Sequence, residues 1–455
     1  MNESSCLTIR LNGKEPGGMN LHRNTAAILS VLFMGLGQLY NRQVVKALLL
    51  LSLNVVAVIF FVKNLGHAIW GVITLGDKTQ GLEKVGKVMV AVKGDNSIYL
   101  LIGGLITLVI LSIYIVIFIM NVRDAYQTGS IRDKGGKVHS IRQTWAYAKD
   151  RNFPLLLLSI PAIGVLFLTI MPIVFMIMLA FTNYSSPDHI PPATLIDWVG
   201  FQTFADLLTL KTWSKTFIGV FTWTIIWAVL ATVTTYFGGI LVALLIESKG
   251  IRFKKFWRTI FIIPYAIPQL ISLLVMRNLF NGQFGPINQY LGYFGLSKLP
   301  WLTDPMWAKV TVIIVNMWVG IPVSMVLILG ILTAIPKDLY EAAEVDGATA
   351  FQKFKVITMP FILFSTVPIL IMQFAGNINN FNVIFLLTNG DPVNGNYQYA
   401  GSTDLLVTWL FKLTYNNSKF NMASAIGIII FLIIASFSIW NYRRSKSFKE
   451  EDMVQ

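Results

Sequence analysis

Residues 341–360 read EAAEVDGATAFQKFKVITMP, a compact polar stretch set between two long apolar runs, Val310 to Leu332 and Val356 to Leu387. The spacing predicts two short helices. Asp338 stands before Glu341, and Thr349 before Gln352, in the relation of an N-cap to the residue at N3. Gly347 falls between them, where a residue tolerant of positive φ closes the first helix and turns the chain into the second. Leu339, Ala342 and Ala343 share one face of the first helix, while Lys337, Glu341 and Glu344 lie elsewhere. Small residues on that face allow close approach of another protein. An ordinary amphipathic loop helix has the same spacing, so docking handle and plain loop both stay open at this point.

The runs on either side decide the class. The chain has 455 residues, 55% hydrophobic and 13% charged, with mean hydropathy +0.64, against about a quarter charged in soluble domains. That composition describes a polytopic, all-α membrane protein. Eight crossings are expected: Val45–Val62, Ile98–Met120, Pro154–Phe181, Phe217–Ile246, Ile260–Met276, Val310–Leu332, Val356–Leu387 and Ser424–Trp440. The seventh exceeds one crossing, so from Asn377 it is expected to bend or unwind within protein, where its backbone can be satisfied. Ala26 to Tyr40 is apolar but short of the roughly twenty residues a crossing needs. Broken by Gly35 and Gly37, it reads as an interfacial or re-entrant helix.

Net charge is +14, but the basic residues lie between apolar runs, which argues for topology and against nucleic acid. They crowd the segment before the first span, the loop from Asn121 to Phe153, the Lys249–Arg258 loop, the Lys337–Lys355 loop and the tail from Arg443. By the positive-inside rule those segments, both termini and the polar stretch at 341–360 are cytoplasmic, in a cell membrane. The loop from Asn64 to Ser97 dissents with Lys78, Lys84, Lys87 and Lys93. Opposite the cytoplasm, Thr182 to Thr216 and Asn389 to Phe420 are expected to form small surface lobes. No signal peptide is expected, because the first residues are polar. The single cysteine, Cys6, excludes an intrachain disulfide.

Chemistry is sparse. There is no phosphate-binding glycine loop with its lysine and no nucleophile motif, so ATP hydrolysis, metal and cofactor chemistry are not expected. His67, His139 and His189 fall in expected loops and His22 near the N-terminus. No ionisable residue sits near the middle of an expected core span, which argues against an ion-coupled transporter. The spans carry uncharged polarity beside aromatics instead. Asn377, Asn379 and Asn380 run with Phe374 and Phe381, Asn316 lies near Trp318, and Tyr265 and Gln269 flank Pro268. Amides and aromatic faces suit sugar hydroxyls and pyranose C–H faces. They equally suit hydrogen bonds between membrane helices.

Glu341, Ala342, Ala343, Gly347, Ile357 and Pro360 match EAA-x3-G-x9-I-x-L-P, with Met359 in place of the leucine. On this match the chain resembles permease subunits of ATP-binding-cassette importers. The likeness continues through Ile263–Pro268 (IPYAIP) and Asn377–Pro392 (NINNFNVIFLLTNGDP) and is greatest toward the larger permease subunit of maltose and maltodextrin importers. It implies a division into an N-terminal part, 1–153, with two accessory spans; a six-helix permease core, 154–442, with its coupling loop at 336–360; and a tail, 443–455. It implies sugar contacts at Tyr265, Gln269, Asn316, Val319, Gly320, Val323, Asn377 and Asn380, and ATPase coupling at the six motif residues. Gln269, Val319 and Val323 depart from that subunit's residue types. The implied partners are a second permease forming a heterodimer, two copies of a cytosolic ATPase, an extracellular sugar-binding protein, the oligosaccharide and the lipid bilayer. Import of another oligosaccharide, such as a galactan-derived one, is the alternative.

Overall fold

The computed structural model describes residues 21–85, 88–138, 143, 146, 149–150, 153–190, 194–248 and 250–444. Cys6, His139 and the tail from 445 lie outside them. Among the described residues, seven helices are long and apolar enough to cross a bilayer, or eight if one bent pair counts as a span. The chain divides into two compact units, Met1–Met176 with Pro192–Ile196, and Ile177–Pro191 with Asp197–Gln455.

In the first unit, α1 (Leu21–Leu32) and α2 (Leu36–Tyr40) are joined through Gly35 at φ +96°, a backbone that glycine adopts without a Cβ penalty. With 12 and 5 residues, each is too short to cross, as the sequence led one to expect. α3 (Val44–Thr74) and α4 (Ser97–Asp133) are the crossings. α3 continues twelve residues past the expected end, so His67 is helical, stacked on Trp70, rather than in a loop. An antiparallel hairpin, β1 (Gly81–Val85) and β2 (Val88–Val92), links the two. At 37 residues, α4 is about 55 Å long and outruns a hydrocarbon core of roughly 30 Å. Its last turns hold the charges the core would reject. There Asp124 meets Lys46 at 2.5 Å, Asp133 accepts from the His22 and Arg23 backbone N–H groups, and Arg132 donates to the Tyr40 carbonyl. Buried Gln38 donates to the Asn121 carbonyl and to Asp124. The third crossing consists of α5 (Phe153–Val165), a π turn (Leu166–Ile170) and α6 (Met171–Ala180).

The second unit is built on α8 (Lys211–Glu247), which follows the short α7 (Gln202–Thr209). Half of the apolar window of α8 is buried against 11% for α3, so α8 is walled by protein while α3 keeps a lipid-compatible surface. Three apolar clusters follow one another down α8, around Phe217 and Val220, around Trp223 and Trp227, and around Tyr236 and Ile246. Its main neighbour is α12 (Pro305–Ala334). At Gly239 an added Cβ would overlap Ser324 and the Met325 backbone, so the missing side chain is what lets the two helices approach. α12 begins at Pro305, with Asp304 as its N-cap, five residues before the expected span.

The expected crossing Ile260–Met276 is not one helix. α9 (Lys254–Ala266) and α10 (Gln269–Leu279) are bent by 92°. Pro268 has no N–H to continue α9 and drives the preceding Ile267 into extended backbone, φ −79° and ψ 131°. α11 (Pro286–Tyr293) leads toward α12. After the polar stretch, α15 (Met359–Ile378) and α16 (Phe381–Leu387) divide the seventh run at Asn379 and Asn380, bearing out the expected break. Asn389 to Phe420, expected as a surface lobe, instead folds inward. Thr403, Leu405, Leu406 and Trp409 are fully buried, and α17 (Leu406–Phe411) belongs to the core. Aromatic burial explains this: Trp409 packs near Trp213 and donates to the Gln398 carbonyl. The described residues end with α18 (Phe420–Arg444). The other expected lobe, Thr182–Thr216, is pinned by a bridge from Thr182 to Trp198, and its end is already the first turn of α8.

Candidate functional site

The amide residues expected in the sugar path come from three helices and one helix break. Asn316 is buried on α12, Asn377 in the last turn of α15, and Asn380 in the gap before α16. Asn380 Nδ2 lies 3.5 Å from both Asn316 Oδ1 and Asn377 Oδ1, and its Oδ1 accepts from the Val383 N–H, capping α16. Asn377 Nδ2 donates to Thr232 Oγ1 of α8 at 2.9 Å. Gln269 joins Asn382 at 3.0 Å, at the start of α10. Gly320 sits against Thr235 with no room for a Cβ, and Val319 is half-buried. Tyr265 and Val323 are 66% and 51% exposed. Thr232, Thr235, Gln373 and Asn382 were not anticipated, yet Gln373 Nε2 donates to Thr235 Oγ1 at 2.8 Å. The repeat of threonines at 232 and 235 along α8 was the available signal.

Beside this cluster, an apolar cavity of about 560 Å³ opens between α9, α10 and α12, lined by Phe261, Pro264, Met276, Phe280, Trp318 and Pro322. Beyond the cluster, Asp404 and Lys412 form a buried ion pair at 2.7 Å, their side chains 0% and 12% exposed. Burial pushes the Asp404 carboxyl up, against the downward pull of the Lys412 ammonium and the Gly401 N–H. Among the described residues no group of three His, Cys, Asp or Glu side chains is placed to hold a metal ion.

The polar stretch folds as two helices, α13 (Lys337–Val345) and α14 (Ala350–Lys353), the second running on through a π turn (Phe354–Thr358). The expected cap at Asp338 is not formed. α13 starts after Pro336, whose fixed φ of −59° already suits helix entry, so Asp338 falls inside the first turn. Gly347 has φ +76°, with the Gly347 N–H on the Glu344 carbonyl and the Ala348 N–H on the Ala343 carbonyl. That is the paired closure of a glycine-terminated helix. Thr349 and Gln352 form the expected reciprocal cap. No residue of α13 is buried; Glu341, Ala342 and Pro360 are exposed, and Ala343 and Ile357 half-buried. A concavity of about 290 Å³ is lined by Ala343, Gly347, Lys353 and Ile357. Tyr340 bonds Thr358 at 2.8 Å and Lys353 pairs with Glu344 at 3.4 Å, fixing α13 to the turn after it.

A helix-built membrane protein with a polar seam between its spans and an exposed, rigidly closed loop defines the class, a polytopic membrane permease. The chain belongs to the family of binding-protein-dependent transport system inner membrane components, whose model matches residues 235–449. It is 39% identical to the galactooligosaccharides transport system permease protein GanP of Bacillus subtilis, over 94% of this chain and 99% of that one. It is 36% identical to the maltodextrin transport system permease protein MalC of Streptococcus pneumoniae, over 96% of this chain and 100% of that one. Maltose/maltodextrin permease MalF of Salmonella typhimurium matches at 40% over 54% of this chain and 49% of its own length. The fold is shared with a chain of a bacterial alginate ABC transporter crystallised with an alginate-bound periplasmic protein, at TM-score 0.56 and 24% identity over 67% of this chain and 97% of that one. The chain is accordingly a membrane-spanning transport component.

Proposed function

We propose that the chain is one permease subunit of an ATP-driven importer of maltose- or maltodextrin-type oligosaccharides. The observation that carries this is identity with maltodextrin permeases along nearly the whole chain, joined to an uncharged amide cluster inside the second unit. Amides both donate to and accept from hydroxyls, which suits a neutral sugar. Asn316, Asn377 and Asn380 bind hydroxyls, Gly320 and Val319 shape the wall, and exposed Tyr265 and Val323 with half-buried Gln269 face the second permease or the sugar between the two. Residues 154–442 are the transporting core. α13, with Glu341, Ala342, Ala343 and Gly347, docks on a cytosolic ATPase present in two copies, with Ile357 and Pro360 supporting it, and an extracellular binding protein delivers the sugar. Both termini are cytoplasmic.

A second reading, import of galactooligosaccharides, is favoured by the 39% identity over 94% of the chain. Uptake by the assembled complex in proteoliposomes, measured with α-linked glucosyl and β-linked galactosyl oligosaccharides, decides between them. Preference for the galactosyl series would replace the first reading by the second, and uptake of neither would overturn both. The purified chain without an ATPase subunit is expected to hydrolyse no ATP.

A further inference from the structure

The α12 helix carries Lys309 in its second turn. Lys309 Nζ lies 4.7 Å from the ring centroid of Trp223 on α8. Among the described residues it makes no hydrogen bond or ion pair. Lys412, by contrast, is matched to Asp404, so this fold does pair a buried lysine where pairing is the purpose. Trp223 is itself locked, 6% exposed, with its Nε1 donating to the Thr403 carbonyl at 3.1 Å. The ring therefore works as a fixed platform under the ammonium. A cation–π contact favours the charge but accepts none of the three N–H donors of a lysine. Four residues in from the start of α12, the half-buried ammonium keeps its N–H donors open to water or to a ligand hydroxyl.

Position says which ligand. Lys309 precedes Asn316 by seven residues, which returns to the same face of an α-helix within about 20° and roughly 10 Å farther along the axis. Lys309 and Asn316 thus stand on one stripe of α12, the side facing α8. We infer that Lys309 is a further sugar-contacting residue, donating hydrogen bonds to hydroxyls of an oligosaccharide whose other end lies on the Asn316, Asn377 and Asn380 amides. The inference rests on the sugar-path reading of that cluster. The first rings are held on the Asn316, Asn377 and Asn380 amides, and reaching Lys309 roughly 10 Å farther along the axis takes additional rings, so only the longer substrates fill both places. Lys309 is in this way a chain-length determinant.

The test is uptake by the assembled complex in proteoliposomes across a series of neutral oligosaccharides from disaccharide to heptasaccharide, normalised to complex in the membrane. Lys309→Met is expected to raise KM by roughly tenfold for the longest sugars, the loss of a hydrogen bond to a charged donor. The rise should shrink steadily toward the disaccharide, and Lys309→Arg should restore most of it. A KM shift equal at all lengths, or none, is what a lysine merely reaching for water would give, and either overturns the inference. Should Lys309→Met fail to assemble, the wild-type complex still decides: acylation of Lys309 by an amine reagent is slowed by long oligosaccharides more than by disaccharide, and equal rates count against the subsite. A wild-type complex that takes up no sugar of any length overturns the transport reading, and this subsite with it.

Discussion

Asn377 shows how one side chain serves packing and function at once. Its amide N–H is already given to Thr232, and its carbonyl oxygen has Asn380 at 3.5 Å. Alanine at 377 removes these and leaves buried polar groups unpaired, at a cost of about 1–3 kcal/mol. Thr232→Val removes the same tie from the other side without touching the path. If Asn377 binds sugar, Asn377→Ala loses uptake per assembled complex to an extent that differs between sugars, whereas Thr232→Val loses only stability. Equal behaviour of the two variants would make Asn377 a helix tie alone. At Asp404 and Lys412 the expectation is energetic. Asp404→Asn leaves Lys412 buried without its charge and is expected to destabilise the chain by about 3–5 kcal/mol, read from the detergent-solubilised melting curve. The double variant Asp404→Asn with Lys412→Met recovers much of that, and a double variant worse than either single would contradict the pairing.

At the scale of elements, the loop between α12 and α15 is organised by closures and not by burial. The glycine closure at 347, the reciprocal Thr349–Gln352 cap and the Tyr340–Thr358 bond hold α13 rigid while none of its residues is buried. Rigidity without burial is what a docking element needs, because little ordering is left to be done on association. Gly347→Asp forces a side chain into φ +76° and places a charge beside the concavity of Ala343 and Ile357. It is expected to abolish sugar-stimulated ATPase activity of the complex while leaving membrane insertion normal. Wild-type stimulation in that variant would rule out the coupling role of α13. Thr349→Ala, which removes only the cap, costs about 1 kcal/mol of local order and is expected to give a partial loss.

For the whole molecule, polarity is distributed by depth. Charges collect at the ends of long helices such as α4, and, apart from the Asp404–Lys412 pair, uncharged amides and threonines line the interior of the second unit. Lipid supplies no hydrogen bonds, so interior polarity has to be satisfied by neighbouring helices or by substrate. Orientation can be read with the single cysteine: a membrane-impermeant maleimide should leave Cys6 unlabelled in intact cells and label it once they are opened. Labelling of intact cells would place the N-terminus outside and reverse the topology.

Membrane character, the number of spans, the closure at Gly347, the cap at Thr349 and the break near Asn379 are all written locally. Each depends on hydropathy or backbone preference within a few residues, which the chain carries wherever it folds. The cap expected at Asp338 fails even at that range, because Pro336 offers the helix an earlier start. The 92° bend at Ile267–Pro268 was signalled by the proline but hidden by the apolar run across it. The inward fold of residues 389–420, the Thr232 and Thr235 partners of Asn377 and Gln373, and the seat of Lys309 on Trp223 were decided by tertiary structure. Each joins residues far apart in sequence, and which face of α8 meets α12 or α15 is fixed by packing across helices, a quantity no local window contains.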